Sequence, residues 1–387
     1  MTHEHALLWP AGFHAYTGHG GIRDSGDDIS VIASALPAVS AAVFTQSLFA
    51  GPAVVLSRKH AAGRGLRAVV TLAQNANVAT GHEGDANAAE VVRRVAALAG
   101  VAETDVLIGS TGVIGRPLPM SSIRAHFDGA GGAGGFDASP LDVARAMMTT
   151  DTRPKTAVRT VGRSRIVGVA KGVGMLEPNM ATMLAYLVTD AEVAPEALDA
   201  ALRRAVDPTF NSLSVDTDTS TSDTVAVIAN GAAGPVDPDA FQQALTDLCL
   251  DLTLQLARDG EGATKLLRVH VGEARDHAQA KRIAKSVVNS PLVKTAVHGA
   301  DPNWGRVVMA IGKNTADTDI DPSRVTVRFG AVEVYPREPE SLDELTELMR
   351  RDEVDITITL GTGPSGTTVY GCDLSAGYVR VNADYTT

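Results

Sequence analysis

The 387 residues are enough for one large domain or two ordinary ones, and 44% hydrophobic with 20% charged residues is a typical globular balance. A formal charge of −11 without any Lys- or Arg-rich block argues against nucleic-acid binding, which depends on cationic contacts to phosphate. Two widely separated cysteines, and no apolar run of about 18 residues, predict a reduced, cytoplasmic protein with no membrane partner.

The N-terminal quarter of the chain predicts strands followed by a helix. Strand patterns at 30–33, 40–45, 53–56 and 68–72 are separated by turn residues, which predicts a meandering antiparallel sheet. The asparagines and glycine of 75–81 predict local turn hydrogen bonds. A helix is predicted over 85–100, because Val91, Val92, Val95 and Leu98 share one face and Gly100 suits its end.

A glycine-rich turn, 109–115, follows a predicted strand at 105–108. It lacks the Gly-Lys-Ser/Thr ending of a phosphate-binding loop. The functional interpretation is an oxyanion hole, in which the Gly112 N–H and the Thr111 hydroxyl point at a developing negative oxygen. A plain tight turn is the alternative, and the residues alone favour it. A surface loop at 128–135 and a helix over 141–148 are predicted next.

The segment 171–184 holds a hydroxyl residue at the mouth of a core strand. Gly172 and Gly174 permit unusual backbone angles, Pro178 stiffens the approach, and the apolar run 183–188 predicts a buried strand. If the bond before Thr182 is cut, that residue gains an α-amine. Such an amine, with a pKa of about 7.7–8.0, can act as base for its own hydroxyl. An ordinary glycine-rich loop entering a strand is the alternative.

The second half alternates strands and helices, which predicts an α+β chain. Helices are predicted over 195–206, 237–258, 278–288 and 342–349, and strands over 225–228, 266–271 and 325–334.

Three polar segments of this half have competing interpretations. Asp216 and Asp218 invite a metal hypothesis, but the glycine and glutamate of an EF-hand are missing, so a buried polar turn is favoured. His298 lies near Asp301 without a fixed nucleophile, and a hydrogen-bonded structural histidine is favoured over a catalytic one. The tail, 378–387, looks strand-like almost to its end.

The segment from Lys171 to Leu184, Lys-Gly-x-Gly-Met-x-x-Pro-Asn-Met-Ala-Thr-Met-Leu, resembles the self-cleavage signature of the ornithine acetyltransferase (glutamate N-acetyltransferase) family. Further similar segments run from Ala42-Val43-Phe44-Thr45 to the last residue. Commoner members carry a small residue or histidine at the position of Glu177, and this departure resembles an antibiotic-cluster subgroup. The resemblance implies a four-layer αββα sandwich of the α+β class.

The resemblance also implies roles for residues of this chain. Cleavage between Ala181 and Thr182 would leave an α chain, 1–181, intertwined with a β chain, 182–387, whose first residue, Thr182, is the nucleophile. Thr111 and Gly112 would form the oxyanion hole, and Glu261 would hold the substrate's amino group or the new threonine amine. The implied substrate-binding set is Thr149, Lys171, Thr182, Glu261, Asn382 and Thr387. No metal or organic cofactor is implied, and the implied assembly is two α with two β chains or a multiple.

The implied activity is transfer of the acetyl group from N2-acetyl-L-ornithine to L-glutamate by a ping-pong mechanism on Thr182. Three alternatives stay open. The first is a bifunctional form that also uses acetyl-CoA. The second is a threonine amidohydrolase or aminopeptidase that accepts water, and the third is an uncleaved binding protein for amino acids.

Overall fold

The computed structural model describes residues 7–130, 135–177, 183–337 and 342–384. Across these ranges, fourteen strands form three mixed sheets, and eleven α-helices pack against them. None of the helices in the described ranges is long and apolar enough to cross a membrane. The predicted α+β class is confirmed.

The strands follow the chain in this order: β1 (Phe13–Gly18), β2 (Ile29–Ser34), β3 (Val39–Phe44), β4 (Ala68–Leu72), β5 (Val106–Ser110), β6 (Lys155–Val161), β7 (Ser164–Lys171), β8 (Leu184–Glu192), β9 (Thr224–Pro235), β10 (Leu266–Ala274), β11 (Thr326–Phe329), β12 (Val332–Tyr335), β13 (Glu353–Thr359) and β14 (Ser365–Cys372). The α-helices are α1 (Pro52–Ala61), α2 (Gly81–Ala99), α3 (Met120–Ala130), α4 (Pro140–Met147), α5 (Pro195–Val206), α6 (Pro238–Arg258), α7 (His277–Val288), α8 (Pro291–His298), α9 (Trp304–Gly312), α10 (Leu342–Met349) and α11 (Ala376–Asp384).

Two sheets pack face to face between outer layers of helices. The first has the order β1-β2-β4-β5 and the second β3-β9-β8-β7-β6. Ile32 and Val69 of the first sheet share one buried cluster with Val167 and Tyr186 of the second. The outer face of the first sheet packs on α2 and α3, and that of the second on α5 and α6. These layers form the predicted αββα sandwich.

The third sheet, β12-β11-β13-β10-β14, builds a further unit that the sequence analysis did not anticipate. Apolar residues of β10, β11 and β13 pack against α7, α8, α9 and α10 in a core of their own. Helix α6 contacts β10 and β14 and so joins this unit to the sandwich.

The central strands of the sandwich explain the long apolar runs in the sequence. Residues 184–191 of β8 are all buried, because one face meets the first sheet and the other meets α5 and α6. Strand β8 is antiparallel to β7, with Lys171 paired to Leu184. Residues 172–183 therefore connect two neighbouring strands, and the predicted cleavage site falls in this connection.

Two predictions for the N-terminal strands are wrong. Residues 53–56 lie in α1, because Pro52 fits the first helical position and Ala53, Val54 and Ser57 are buried at helical spacing. The sheet is not an antiparallel meander either. Strand β3 pairs with β9 in the second sheet, and β4 and β5 are parallel, since α2 supplies the crossover that a parallel pair requires.

The described part of the tail is also helical where a strand is predicted. Strand β14 ends at Cys372, and α11 begins after a serine whose Oγ accepts the Gly377 N–H at 2.9 Å. This hydroxyl cap favours a helix start. The short apolar pattern around Tyr378 fits the period of a strand as well as that of a helix, so the sequence alone does not distinguish the two. Asn382 consequently lies on a helix.

Candidate active site

A pocket of ≈ 280 Å³ lies beside the connection between β7 and β8. Six residues predicted for the site line it: Thr111, Gly112, Thr149, Lys171, Glu261 and Asn382. Ala181, Thr182 and Thr387 lie outside the described residues. A larger cavity of ≈ 490 Å³ follows β3 and contains none of the predicted site residues. The smaller pocket is the candidate site because distant segments bring their polar side chains together there.

The turn after β5 supplies two groups suited to an oxyanion. The Thr111 hydroxyl oxygen is buried and has no hydrogen-bond partner among the described residues. Gly112 has φ +133°, and a Cβ there would collide with the Gln74 carbonyl group. Only glycine fits this close approach. A buried hydroxyl without a partner is unusual enough to require an explanation, and a reaction intermediate provides one.

Lys171, the last residue of β7, is the cation of the pocket. Its side chain is almost fully buried, and Nζ donates to the Thr149 hydroxyl at 2.8 Å. Burial lowers the pKa of Lys171, while the neighbouring Asp151 carboxylate acts to raise it. The Thr149 carbonyl accepts a hydrogen bond from the Gln74 side chain at 3.2 Å, and Gln74 also lies against Gly112.

A buried ion cluster behind Lys171 was missed by the sequence analysis. Asp151 accepts from the Gly172 N–H at 2.8 Å and from Lys155 Nζ at 2.7 Å, and Lys155 also contacts Asp259 at 2.6 Å. Burial alone would raise the pKa of Asp151, but the Lys171 and Lys155 ammonium groups lower it to about 2. The partners are separated by up to about a hundred residues in sequence, so no local pattern could reveal them.

Glu261 faces Lys171 across the pocket and is held on both carboxylate oxygens. Oε1 accepts from the Thr150 hydroxyl at 2.8 Å, and Oε2 from the Asn382 side-chain amide at 2.8 Å. The Glu261 N–H donates to the Val173 carbonyl at 2.9 Å. A Cβ at Gly174 would collide with the carboxylate, so this glycine allows Glu261 to lie against the central loop.

The predicted polar turn before β9 forms another wall of the pocket. Ser220, Thr221, Ser222 and Asp223 all line it. Upstream in the same turn, the Asp216 carboxylate accepts the N–H groups of Met175 and Leu176 at 2.6 and 2.7 Å. Asp216 thus anchors the central loop, in agreement with the polar-turn interpretation. A run of hydroxyls before a buried strand was the sequence signal for this wall, but not for its part in the site.

Glu177, where this chain departs from commoner family members, does not line the pocket. Its carboxylate contacts Ser214 at 2.7 Å, Lys285 at 3.2 Å and the Asn289 side-chain amide. The departure therefore changes how the loop is anchored, five residues before Thr182.

His298 does not pair with Asp301. Its Nδ1 contacts Asp373 at 2.7 Å, and the Thr264 hydroxyl lies 3.3 Å from the same nitrogen. A relay needs the acid and the nucleophile on opposite ring nitrogens. The structural interpretation of His298 is the one that this geometry favours.

The described lining brings the Thr111–Gly112 turn, a buried ammonium and a carboxylate into one pocket, a set of groups suited to an enzyme that binds charged small molecules and stabilises an oxyanion. Comparison with known proteins gives the family. The profile of the ArgJ family matches residues 14–387, and the chain belongs to this family. The predicted ornithine acetyltransferase family is thereby confirmed.

Two of the relatives match nearly the whole chain. The chain is 56% identical to glutamate N-acetyltransferase Oat2 of Streptomyces clavuligerus, over 98% of both proteins. It is 51% identical to arginine biosynthesis bifunctional protein ArgJ of Rhodococcoides fascians, over 98% of this chain and 94% of the relative. A crystal structure of arginine biosynthesis bifunctional protein ArgJ from Bacillus halodurans is 40% identical, with a TM-score of 0.49, over 52% of this chain and 98% of the other.

Proposed function

We propose that this protein transfers the acetyl group of N2-acetyl-L-ornithine to L-glutamate, as a step of arginine biosynthesis, through an acetyl ester on Thr182. The observation that carries the proposal is the pocket itself. The Thr111 hydroxyl, which has no partner among the described residues, lines one cavity with the buried Lys171 ammonium and the Glu261 carboxylate. The Streptomyces clavuligerus relative is named a glutamate N-acetyltransferase, and the Rhodococcoides fascians relative is named an arginine biosynthesis protein.

The first proposed step is cleavage of the chain. The Thr182 hydroxyl attacks the Ala181 carbonyl carbon, the peptide nitrogen leaves as an amine, and the resulting ester is hydrolysed by water. The products are an Ala181 carboxylate and an N-terminal Thr182, in pieces of 181 and 206 residues. The amine then serves as the base for its own hydroxyl.

Acetyl transfer follows in two half-reactions. The Thr182 hydroxyl attacks the acetyl carbonyl and gives its proton to the α-amine, while Gly112 N–H and the Thr111 hydroxyl donate to the oxyanion. The tetrahedral intermediate collapses, the proton passes to the leaving nitrogen, and ornithine departs. The α-amine of glutamate then attacks the ester by the reverse path and leaves as N-acetylglutamate.

The remaining polar groups are assigned to the ends of the amino acid. Lys171 and Thr149 bind the α-carboxylate, while Glu261, Asn382 and Thr387 bind the amino end. The ionisable side chains described in the pocket lining are one cation, Lys171, and two carboxylates, Asp223 and Glu261. The Glu261 carboxylate is suited to the α-ammonium group that glutamate brings to the second half-reaction.

The proposal is tested by incubating the purified protein with N-acetylornithine and glutamate and following both products by mass spectrometry. Ornithine and N-acetylglutamate should appear in equal amounts, and the Thr182→Ala variant should form neither. Acetate without any N-acetylglutamate would instead indicate the amidohydrolase. A full-length chain that binds both amino acids without reacting would indicate the binding protein.

The alternative of a bifunctional enzyme, which also uses acetyl-CoA as a donor, needs a separate experiment. The Rhodococcoides fascians relative is named bifunctional. Adding acetyl-CoA in place of N-acetylornithine decides whether this chain uses a second donor. The proposed assembly, two α with two β chains or a multiple, is read from the mass of the native complex.

A further inference from the structure

The proposed reaction passes two amino acids with oppositely charged side chains through one pocket. Ornithine ends in an ammonium group and glutamate in a carboxylate. A carboxylate in the pocket wall would attract the first and repel the second, and an ammonium would do the reverse. A hydroxyl both donates and accepts hydrogen bonds, so it can bind either end group.

Three consecutive hydroxyl residues, Ser220, Thr221 and Ser222, form such a wall; we call them the hydroxyl turn. Their backbone is held from outside the pocket. The Thr45 hydroxyl donates to the Ser220 carbonyl at 2.7 Å, and the Gly51 N–H donates to the Thr221 carbonyl at 3.0 Å. These bonds fix the turn without using the Thr221 side chain.

The turn is also internally ordered. The Ser220 hydroxyl accepts the Ser222 N–H at 3.1 Å, and the hydroxyl oxygens of Thr221 and Ser222 lie 3.5 Å apart. The turn is followed directly by Asp223, whose carbonyl accepts the Thr45 N–H at 3.0 Å. A rigid wall of hydroxyls costs little reorganisation when a ligand binds.

The three charged side chains of the described lining interact with one another or with polar neighbours. Asp223 is almost fully buried, and its charge acts to raise the pKa of Lys171. Lys171 donates to Thr149, and Glu261 accepts from Thr150 and Asn382. These groups serve the backbone end of the amino acid in the proposed function. The hydroxyl turn is the uncharged polar part of the described lining that is left for the other end.

We propose that the hydroxyl turn is the subsite for the substrate's side chain, and that it accepts the ornithine ammonium and the glutamate carboxylate in turn. This inference rests on the proposed function and deepens it. Thr221 is the residue to test, because Thr221→Val keeps the shape and the β-branch and removes only the hydroxyl.

Thr221→Val should raise the KM for N-acetylornithine and for glutamate by about tenfold or more, since each loses a hydrogen bond to a charged group. Acetylation by p-nitrophenyl acetate, which has no amino-acid side chain, should be unchanged. A purely structural defect would lower this reaction as well. Thr346→Val, on an α10 residue far from the pocket, serves as the matched control and should change nothing.

A second variant separates the two substrates. Thr221→Asp replaces the hydroxyl by a carboxylate, so the KM for glutamate should rise while that for N-acetylornithine stays the same or falls. If Thr221→Asp changed the KM values for glutamate and N-acetylornithine equally, the subsite assignment would be overturned. Unchanged KM values in Thr221→Val would overturn it as well.

The subsite can be tested separately from the proposed acetyl transfer. If the wild-type protein does not acetylate glutamate, calorimetric titration with ornithine and with glutamate still decides the subsite. Binding of both that weakens in Thr221→Val supports it, and binding that is unaffected by the substitution overturns it.

Discussion

At the scale of single residues, the Thr111 hydroxyl oxygen is buried in the resting protein. A buried donor without a partner destabilises a fold by about 1–3 kcal/mol. Its oxygen finds no partner among the described residues, although Leu72 and Gln74 accept backbone N–H groups from the same turn. Such a group is expected where the partner forms only during the reaction.

Thr111→Val should therefore separate activity from stability. Loss of one oxyanion donor lowers kcat by about 10²–10³-fold, with little change in KM. The free energy of unfolding should stay equal or rise, because the substitution removes the unpartnered hydroxyl at constant shape. Steady-state kinetics and urea denaturation check both halves. A stability loss that matches the activity loss would contradict the assignment.

Asp151 gives the pH dependence of stability a defined sign. Its pKa in the folded protein is about 2, below the value of about 3.9 expected for an unfolded chain. The ionised group therefore stabilises the fold above the unfolded pKa, and this contribution is lost as the pH falls through the folded value.

Asp151→Asn should be less stable than the parent by roughly 2–3 kcal/mol at pH 7, and the difference should shrink below about pH 4. Urea denaturation of both chains in a Thr182→Ala background, which keeps each in one piece, measures this. Asp239→Asn, on the exposed start of α6, is the control. A difference that grows in acid would show that the sign is wrong.

At the scale of elements, several hydrogen bonds hold the described part of the connection between β7 and β8, residues 172–177. Asp216 binds the N–H groups of Met175 and Leu176, and the Val215 N–H donates to the Leu176 carbonyl at 2.7 Å. Glu177 adds contacts to Ser214, Lys285 and Asn289. Residues 175–177 are thus held in one geometry, and a fixed approach to the proposed cleavage site favours an intramolecular attack.

Glu177→Gln should slow self-cleavage by about tenfold, because hydrogen bonds that involve a charge are worth about 1.5–3 kcal/mol. The KM of the fraction that does cleave should be unaltered, since Glu177 does not line the pocket. Time courses on denaturing gels give the first value, and kinetics of the cleaved enzyme give the second. Glu196→Gln, at an exposed glutamate of α5, is the control. A changed KM with normal cleavage would place Glu177 at the substrate instead.

Helix α11 contributes a site residue but little core. None of its residues is buried, and Asn382 reaches Glu261 from its last turn. Its role in the proposed function is to hold this carboxylate and the amino end of the substrate.

A chain that ends at Ser375 should keep its fold, with a loss of about 1 kcal/mol or less, because surface changes cost little. Acetyl transfer should be abolished, since Asn382 and Thr387 are both removed. Circular dichroism and the product assay are the measurements. Full activity in the truncated chain would show that neither Asn382 nor Thr387 belongs to the site.

At the scale of the whole molecule, the second sheet explains how a cut chain could stay assembled. Strands β3, β6 and β7 precede Thr182, whereas β8 and β9 follow it. Strand β8 pairs with β7 on one side and β9 with β3 on the other. Cleavage at the connection would leave these ladders and the buried layers on both faces in place.

The whole fold also shows which elements and which site residues could be predicted from the sequence. Helices α5 and α7 were predicted to within one residue at each end, and α2 from four residues after its start, because long amphipathic patterns with clear ends are local signals. Strand β3 was placed in the wrong sheet, since its pairing with β9 joins residues almost two hundred positions apart. The motif around Lys171 led to six residues that share a pocket. The Lys155–Asp259 contact and the position of the hydroxyl turn in the pocket were missed, because only the folded chain brings these residues together.

The central claim is that acetyl is carried on the hydroxyl of an N-terminal Thr182. The most direct test is to incubate the protein with N-acetylornithine without glutamate, quench in acid, digest, and map acetyl groups by mass spectrometry. We predict a peptide that begins at Thr182 and carries an acetyl ester, which disappears when glutamate is added before the quench. Acetyl absent from Thr182 in a protein that still produces N-acetylglutamate, or full transfer by an uncut chain, would contradict the account.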